Sequence, residues 1–559
     1  MEEKEINQRN SYPIQTPEFS QHPEPPAHTT EEPIRLPKTI RALKNSREEK
    51  HHPRTIIICL DGTGDRFDSD NSNIVNFVSC LKKHSLDEQV TYYQSGIGTY
   101  DKGGLKNGIG AALDMAVGSG LGIHVKDAYK YLMQNYRDGD KICLLGFSRG
   151  AYTIRCLAGM LHKVGLLPAS NGSQINFAYD FFKDDSEEGW KMSGEFKKTF
   201  CTDVNVYFVG LWDCVASVGF IPRKLPFSKS PTNSIQYFRH AMALDEHRSK
   251  FKVCQWQHEN PDVNPELKRR GTVDKTPMGK VKRTGILGFG SKPQPKTAQS
   301  IDTSAETQTI DFSDSRSDKQ ESLEEKFNEQ DKATRRHQQF KTDALEVWFM
   351  GAHADVGGGA CKNEDRHMLS RIPLRWMLRQ CFECDTGILF DTSRLAEQGL
   401  DVDTLWPEFK SPSKPSVGPP PALVEKYEKK TLAPLQRRST FLPIGEENDV
   451  IKDAPTAEDL QYILPAESTE DHFDSLQRVN DQLVDAKGWW ILEIWPVKIR
   501  VRSSDGERWE KRVRMNLGRH RAIREMEPHM HWTVRHRMDS NKYTLKVREN
   551  KGTTWREVV

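Results

Sequence analysis

Ser148 stands in LLGFSRGAYTIR, with Gly146 and Gly150 two residues away on either side. G-x-S-x-G spacing fits a sharp strand-to-helix turn that exposes a serine hydroxyl for attack, and side chains at both flanking positions would collide there. Such a hydroxyl needs a base to take its proton and a carboxylate to orient the base. Asp213 closes the apolar run of VYFVGLWDCVASVG, and His353 lies in FMGAHADVGGG, among glycines that let the backbone fold close to a site. The oxyanion formed by attack on an ester carbonyl needs two backbone donors. Arg149 N–H, directly after the serine, is one expected donor, and the Gly62–Thr63 loop of LDGTGD is the expected source of the other.

Elements must bring these residues together. RTIIICL (54–60), QVTYYQSGIG (89–98), KICLLG (141–146), NVYFVGLWD (205–213) and LEVWFMG (345–351) read as strands. SNIVNFVSCLKKH (72–84), IHVKDAYKYLMQNY (123–136) and AYTIRCLAGMLHKVGLL (151–167) read as helices. Near-continuous apolar strands alternating with helices predict an α/β fold, a doubly wound, mainly parallel sheet covered on both faces. The turn Asp61-Gly62-Thr63-Gly64, Ser148, Asp213 and His353 all fall at carboxyl ends of strands, where such sheets carry their sites. The chain order serine, aspartate, histidine is that of α/β-hydrolases.

LDGTGD, GFSRGAYTIR, GLWDCVASVG, RHAMALDEHRSKF and WFMGAHADVGGG occur in one order over roughly residues 54–256 and 344–380. They resemble the uncharacterised α/β-hydrolase family that includes the catalytic domain of type VI secretion phospholipase effectors, with many fungal members. DHFDSL, KGWWILEIWP, MNLGRHRAI and HWTVRHRM resemble its fungal branch. The resemblance implies a serine-hydrolase fold acting on ester bonds of phospholipids. Gly64 departs from it, standing where a bulky residue is expected in the LDGT turn.

Each candidate has a plainer reading. Ser148 could be a structural serine in a turn, and Asp213 could cap a helix. His240 of FRHAMALDEHR competes with His353 as the base or is a core histidine on an apolar helix, and His529 and His531 are further choices. Asp355 either binds the turn around His353 or replaces Asp213, and Asp61 reads as an organiser of its loop. LDGT also suggests an aspartyl-phosphate phosphatase, but Cys59 occupies the nucleophile position and a thiol is the wrong ligand for magnesium. The glycines of 103–122 lack the G-K-[ST] of a phosphate loop and read as a mobile loop near the site.

The 559 residues, 36% hydrophobic, carry 81 basic and 79 acidic side chains, so net charge favours no nucleic acid partner. A mean hydropathy of −0.71 implies one core with long polar excursions. The expected divisions are a disordered tail (1–52), a first core part (53–256), a disordered polar insertion (257–343), a second core part (344–409), a Pro-rich linker (410–423) and a C-terminal accessory subdomain (424–559). In that last part KIRVRSSDGERWEKRVRMNL reads as a hairpin, and aromatics such as Trp489-Trp490 read as core rather than as a lipid platform. Basic runs such as Lys268-Arg269-Arg270 are solvated charge, an attraction for anionic membrane, or an import signal. Ten cysteines in mostly apolar runs read as reduced thiols of an intracellular, cytoplasmic protein. Only Cys381 and Cys384 share metal-like spacing, with no second pair. No metal or cofactor, no signal peptide and no transmembrane segment are expected. A lipid or small ester is the expected substrate. A silent binding scaffold and a membrane-peripheral adaptor are the rival classes.

Overall fold

The run TIIICL has no polar face, and burial on both sides explains why. The strand Thr55–Leu60 is buried at every position, with Ile56, Ile58 and Leu60 packing into one apolar cluster and Ile57 and Cys59 into another. Period-two alternation thus serves two layers rather than core and solvent. The computed structural model describes residues 37–47, 52–83, 85–96, 120–215, 225–228, 234–256, 320, 322–330, 341–415, 418–432, 466–503, 509–540 and 542–559.

The strands are β1 (Thr39–Arg41), β2 (Thr55–Leu60), β3 (Gln89–Gln94), β4 (Lys141–Phe147), β5 (Val206–Trp212), β6 (Ile235–Ala243), β7 (Asp343–Phe349), β8 (Leu389–Asp391), β9 (Pro496–Arg502), β10 (Trp509–Met515), β11 (His529–His531) and β12 (Arg556–Val558). Eight of them form one sheet in the order β12-β11-β7-β6-β5-β4-β2-β3. Every pairing in it is parallel, as expected of a doubly wound α/β sheet.

The helices that position the site are α1 (Asn73–Cys80), α2 (Leu121–Asn135), α3 (Ser148–Val164), α4 (Ile175–Lys183), α5 (Glu187–Phe200), α6 (His353–Gly357), α7 (Arg371–Glu383), α8 (Glu467–Ser475), α9 (Trp490–Glu493) and α10 (Trp532–Asp539). Val125, Leu132, Ile154, Leu161 and Phe182 of α2, α3 and α4 cover one sheet face, and Phe77, Met377 and Phe382 of α1 and α7 cover the other. Helix α3 is buried along its whole length, its charged Arg155 and Lys163 included, and these donate to the carbonyls of Cys254 and Phe181 at 2.7 and 3.1 Å. Ser72 Oγ caps α1 by accepting from Val75 N at 3.3 Å.

Five expectations are corrected. FRHAMALDEHR holds a strand, β6, rather than a helix, because this apolar stretch is sandwiched between β5 and β7 and continuous burial erases helical periodicity. The tail assigned to 1–52 includes β1, which pairs antiparallel with β8 and buries Ile40. Within the stretch 257–343, residues 322–330 are helical: Glu324 accepts from Phe227 N at 2.8 Å, and Phe327 packs against His162, Trp190 and Phe227. That polar segment cannot fold alone but acquires partners from the core. The C-terminal part is not a separate accessory layer, because β11 and β12 extend the main sheet. Buried Arg375 and Arg379 of α7 also pair with Asp471, Asp474 and Glu467 of α8. Helix Pro421–Glu428 starts inside the stretch expected to be a linker. Residues 103–119 and the basic runs at 268–270, 280–283 and 335–336 lie outside the described residues.

Candidate active site

Strand β4 delivers Phe147 in extended conformation, and Ser148 then takes φ +58°, a left-handed value uncommon for a non-glycine residue. The neighbouring glycines are demanded by space. A Cβ on Gly146 would sit 2.6 Å from Ala151 Cα, and one on Gly150 would sit 2.3 Å from the Leu60 carbonyl oxygen. Their absence lets the start of α3 lie against the end of β2, so the serine stands where the strand ends and the helix begins.

Asp213 follows β5, also at positive φ (+36°), and His353 opens α6 just beyond β7. Residues 205 and 140 positions apart from their partners meet here: Ser148 Oγ–H donates to His353 Nε2 at 2.7 Å, and His353 Nδ1–H donates to Asp213 Oδ2 at 2.6 Å. Accepting on Nε2 while donating from Nδ1 is the tautomer a general base needs. Burial pushes His353 below the usual histidine range, and the bond to Asp213 only partly restores it. The ring is therefore neutral and able to accept a proton at pH 7. Phe147 and Phe251 flank the imidazole with ring centroids 4.8 Å away, fixing its plane.

Asp213 is fully buried, which by itself would raise its carboxyl. Arg521 and His353 outweigh that and hold it well below the carboxylate range. Arg521 donates to both oxygens, Nη1 to Oδ1 at 2.6 Å and Nη2 to Oδ2 at 2.9 Å, and also to the carbonyls of Ala243 and Phe251. Sequence reasoning missed this residue. Arg521 lies in MNLGRHRAI, a run noted only for its resemblance, and nothing local ties it to a strand end 308 positions earlier.

Asp355 binds the turn that carries His353 instead of replacing Asp213: its Oδ2 accepts from Ala352 N at 2.8 Å and Asn480 N at 2.9 Å, with burial pushing its carboxyl up to about 6. His240 is a satisfied core residue, accepting from Cys214 N at 3.0 Å through Nε2 and donating from Nδ1 to Glu346 at 2.8 Å. His531 stacks on Phe349 and bonds Thr533, away from Ser148.

The loop after β2 departs from expectation at one donor. Gly62 N–H is taken by Asp61 Oδ1 at 2.8 Å, so this amide already has an acceptor, whereas Arg149 N lies in the first turn of α3, where amides point out of the helix end. Thr63 retains a buried hydroxyl with no hydrogen-bond partner. Asp61 also accepts from Tyr93 O–H at 2.8 Å. Gly64 sits at φ +80°, which explains the departure from a bulky residue there: an L side chain would be strained at that turn. Burial beside Asp61 and Asp68 pushes Asp65 up to about 8. Among the described residues no cluster of three or more His, Cys, Asp or Glu side chains is arranged to hold a metal ion.

The sequence model of the T6SS, phospholipase effector Tle1-like, catalytic domain matches residues 54–380. The chain belongs to this family. Membership supports a hydrolase function of the lipase or phospholipase type. Uncharacterized protein YEL023C of Saccharomyces cerevisiae is 27% identical over 556 residues, covering 86% of this chain and 78% of that one. An uncharacterized protein from Pseudomonas aeruginosa is a similar solved structure at 13% identity, covering 60% of this chain and 47% of that chain with a TM-score of 0.29. The Tle1 effector bound to the VgrG spike of the type 6 secretion system is another, at 18% identity, 37% and 48% coverage and a TM-score of 0.22. The chain spans about half the length of these two solved structures, and at such scores neither adds to the topology described above. Ser148, Asp213 and His353 lie inside the Tle1-like match, whereas Asn480 and Arg521, which support them, lie beyond its end.

Proposed function

We propose that this chain is a serine hydrolase that cleaves carboxylic esters of lipids or phospholipids through an acyl-enzyme. The observation that carries the reading is the continuous chain from a left-handed serine through the imidazole to a buried carboxylate, at 2.7 and 2.6 Å. Ser148 Oγ attacks the ester carbonyl as His353 Nε2 takes its proton, and the tetrahedral oxyanion is held by the amides of Arg149 and the Thr63 loop. Collapse expels the alcohol, which leaves with the proton from His353. Water, deprotonated by the same ring, then releases the fatty acid and restores the serine. Asp213 keeps Nδ1 protonated and stabilises the imidazolium.

The choice of lipid ester rests on family membership, which is support by analogy. Ten cysteines without a disulfide support an intracellular, reducing setting. A fluorophosphonate probe should label the full chain at Ser148, and Ser148→Ala should abolish both labelling and fatty-acid release from phospholipid. Equal labelling of the folded alanine variant would remove the nucleophile from this scheme.

A further inference from the structure

An exposed surface linked to the site by aromatic contacts carries a density of apolar side chains that a water-soluble face does not need. Trp490, Ile491, Ile494, Trp495, Met515 and Leu517 are each between 42% and 59% exposed. They are contiguous. The Glu493 carbonyl accepts from Asn516 N at 3.1 Å and Leu517 N at 3.3 Å, and its carboxylate accepts from Asn516 Nδ2 at 2.7 Å and Gly518 N at 3.0 Å. Met515 is the register partner of Pro496, next to Trp495, and a Cβ on Gly518 would lie 3.3 Å from the Trp490 ring. Buried Leu483, Glu493, Ile499 and Asn516 therefore form a frame that holds the apolar groups outward.

Among the described residues, strands β9 and β10 pair only with each other, away from the main sheet, and every residue from Lys511 to Met515 is exposed. Both faces of β10 thus meet solvent. Lys511, Arg512, Arg514 and Arg519 interleave with the apolar groups, against the single acid Glu510 in 509–519. This arrangement is joined to the site by aromatic contact: Trp489 lies 5.5 Å from Phe251, whose ring lies 4.8 Å from His353, with Arg248 over both Phe251 and Trp489.

Apolar and tryptophan side chains ringed by bases suit the boundary of an anionic bilayer, where rings and aliphatic groups enter the acyl region and bases meet phosphates. A second protein chain with a matching apolar face would not need the excess positive charge. We propose that this surface of α9 and β10 docks on anionic phospholipid bilayer and thereby presents lipid to the site at His353. The presentation rests on the hydrolase reading; docking itself does not.

Full-length Ser148→Ala protein should sediment with vesicles of phosphatidylcholine and phosphatidylserine, less with phosphatidylcholine alone, and less at high salt. Adding Ile494→Ser with Trp495→Ser, or Lys511→Glu with Arg514→Glu, should weaken binding to the mixed vesicles at least about tenfold. On the wild-type background the same pairs should leave turnover of a short soluble ester within about twofold, which reports folding, while hydrolysis of vesicle lipid falls with binding. Undiminished vesicle binding by both pairs overturns the proposal. So does a dimer of the wild type that both pairs convert to monomer without loss of vesicle binding, which assigns the surface to a second copy. Vesicle binding by a wild type that hydrolyses no ester would instead defeat the hydrolase reading and leave the docking surface standing.

Discussion

Replacing Arg521 by glutamine removes the cation behind Asp213 and leaves a shorter, neutral amide in its place. Asp213 Oδ2 accepts from Arg521 Nη2 at 2.9 Å and from His353 Nδ1 at 2.6 Å, so the two nitrogens are at most about 5.5 Å apart. At an effective dielectric of ~20, a guanidinium and an imidazolium at that separation repel by about 3 kcal/mol. Spreading of the guanidinium charge lowers this, leaving enough to move the acid limb of kcat/KM upward by about one pH unit or more. The sign follows from His353: burial already holds it below the ordinary range, and losing a nearby positive charge lets it protonate more readily. Activity should therefore fall first on the acidic side, with the alkaline plateau less affected. Breaking one partner out of a buried ion pair also costs about 3–5 kcal/mol of stability, so the profile must be taken well below the melting point of the variant. Arg521→Lys keeps the charge but loses the two-pronged geometry, and it should lower stability while holding the acid limb near that of the wild type. The assay is kcat/KM against pH on a soluble ester, with folding checked by circular dichroism. A folded Arg521→Gln variant whose acid limb coincides with the wild type would refute the electrostatic role and leave Arg521 as a tie between the C-terminal region and the core.

Ser148→Ala should lower kcat by roughly four orders of magnitude or more without unfolding the protein, since the methyl group fits where the hydroxymethyl was. His353→Ala should abolish fluorophosphonate labelling, whereas His240→Asn should keep labelling and lose about 1–3 kcal/mol in urea unfolding, because the partners it disturbs are Cys214 N and Glu346 in the core. Asp65 has a folded carboxyl pushed up to about 8, above its unfolded value, so the protonated form favours folding and the stability it confers is lost as pH rises from about 4 through about 8. Asp65→Asn should accordingly flatten the decline of the melting temperature across that window; an unchanged slope would show that Asp65 does not titrate there.

Local sequence determined the elements that needed no distant partner. The runs TIIICL and KICLLG are apolar over the whole width of a strand because both sheet faces are covered, and G-x-S-x-G marks the one turn where Gly146 and Gly150 must lack side chains. Aspartate after β5 and histidine after β7 were legible as candidates because parallel strands all point their carboxyl ends to one rim. Tertiary structure alone put His353 within hydrogen-bonding distance of Ser148 and left His240 inside β6, since only packing reveals that Cys214 and Glu346 already occupy the second ring. It also decided that FRHAMALDEHR opens in a strand, that Gly62 N–H is spent on Asp61, and that a guanidinium from the far end of the chain sits behind Asp213. The physical reason is common to these cases. Periodicity and turn chemistry act over a few residues, whereas the charge balance of a buried carboxylate is set by whichever side chains the completed fold brings within hydrogen-bonding distance, however far apart they lie in sequence.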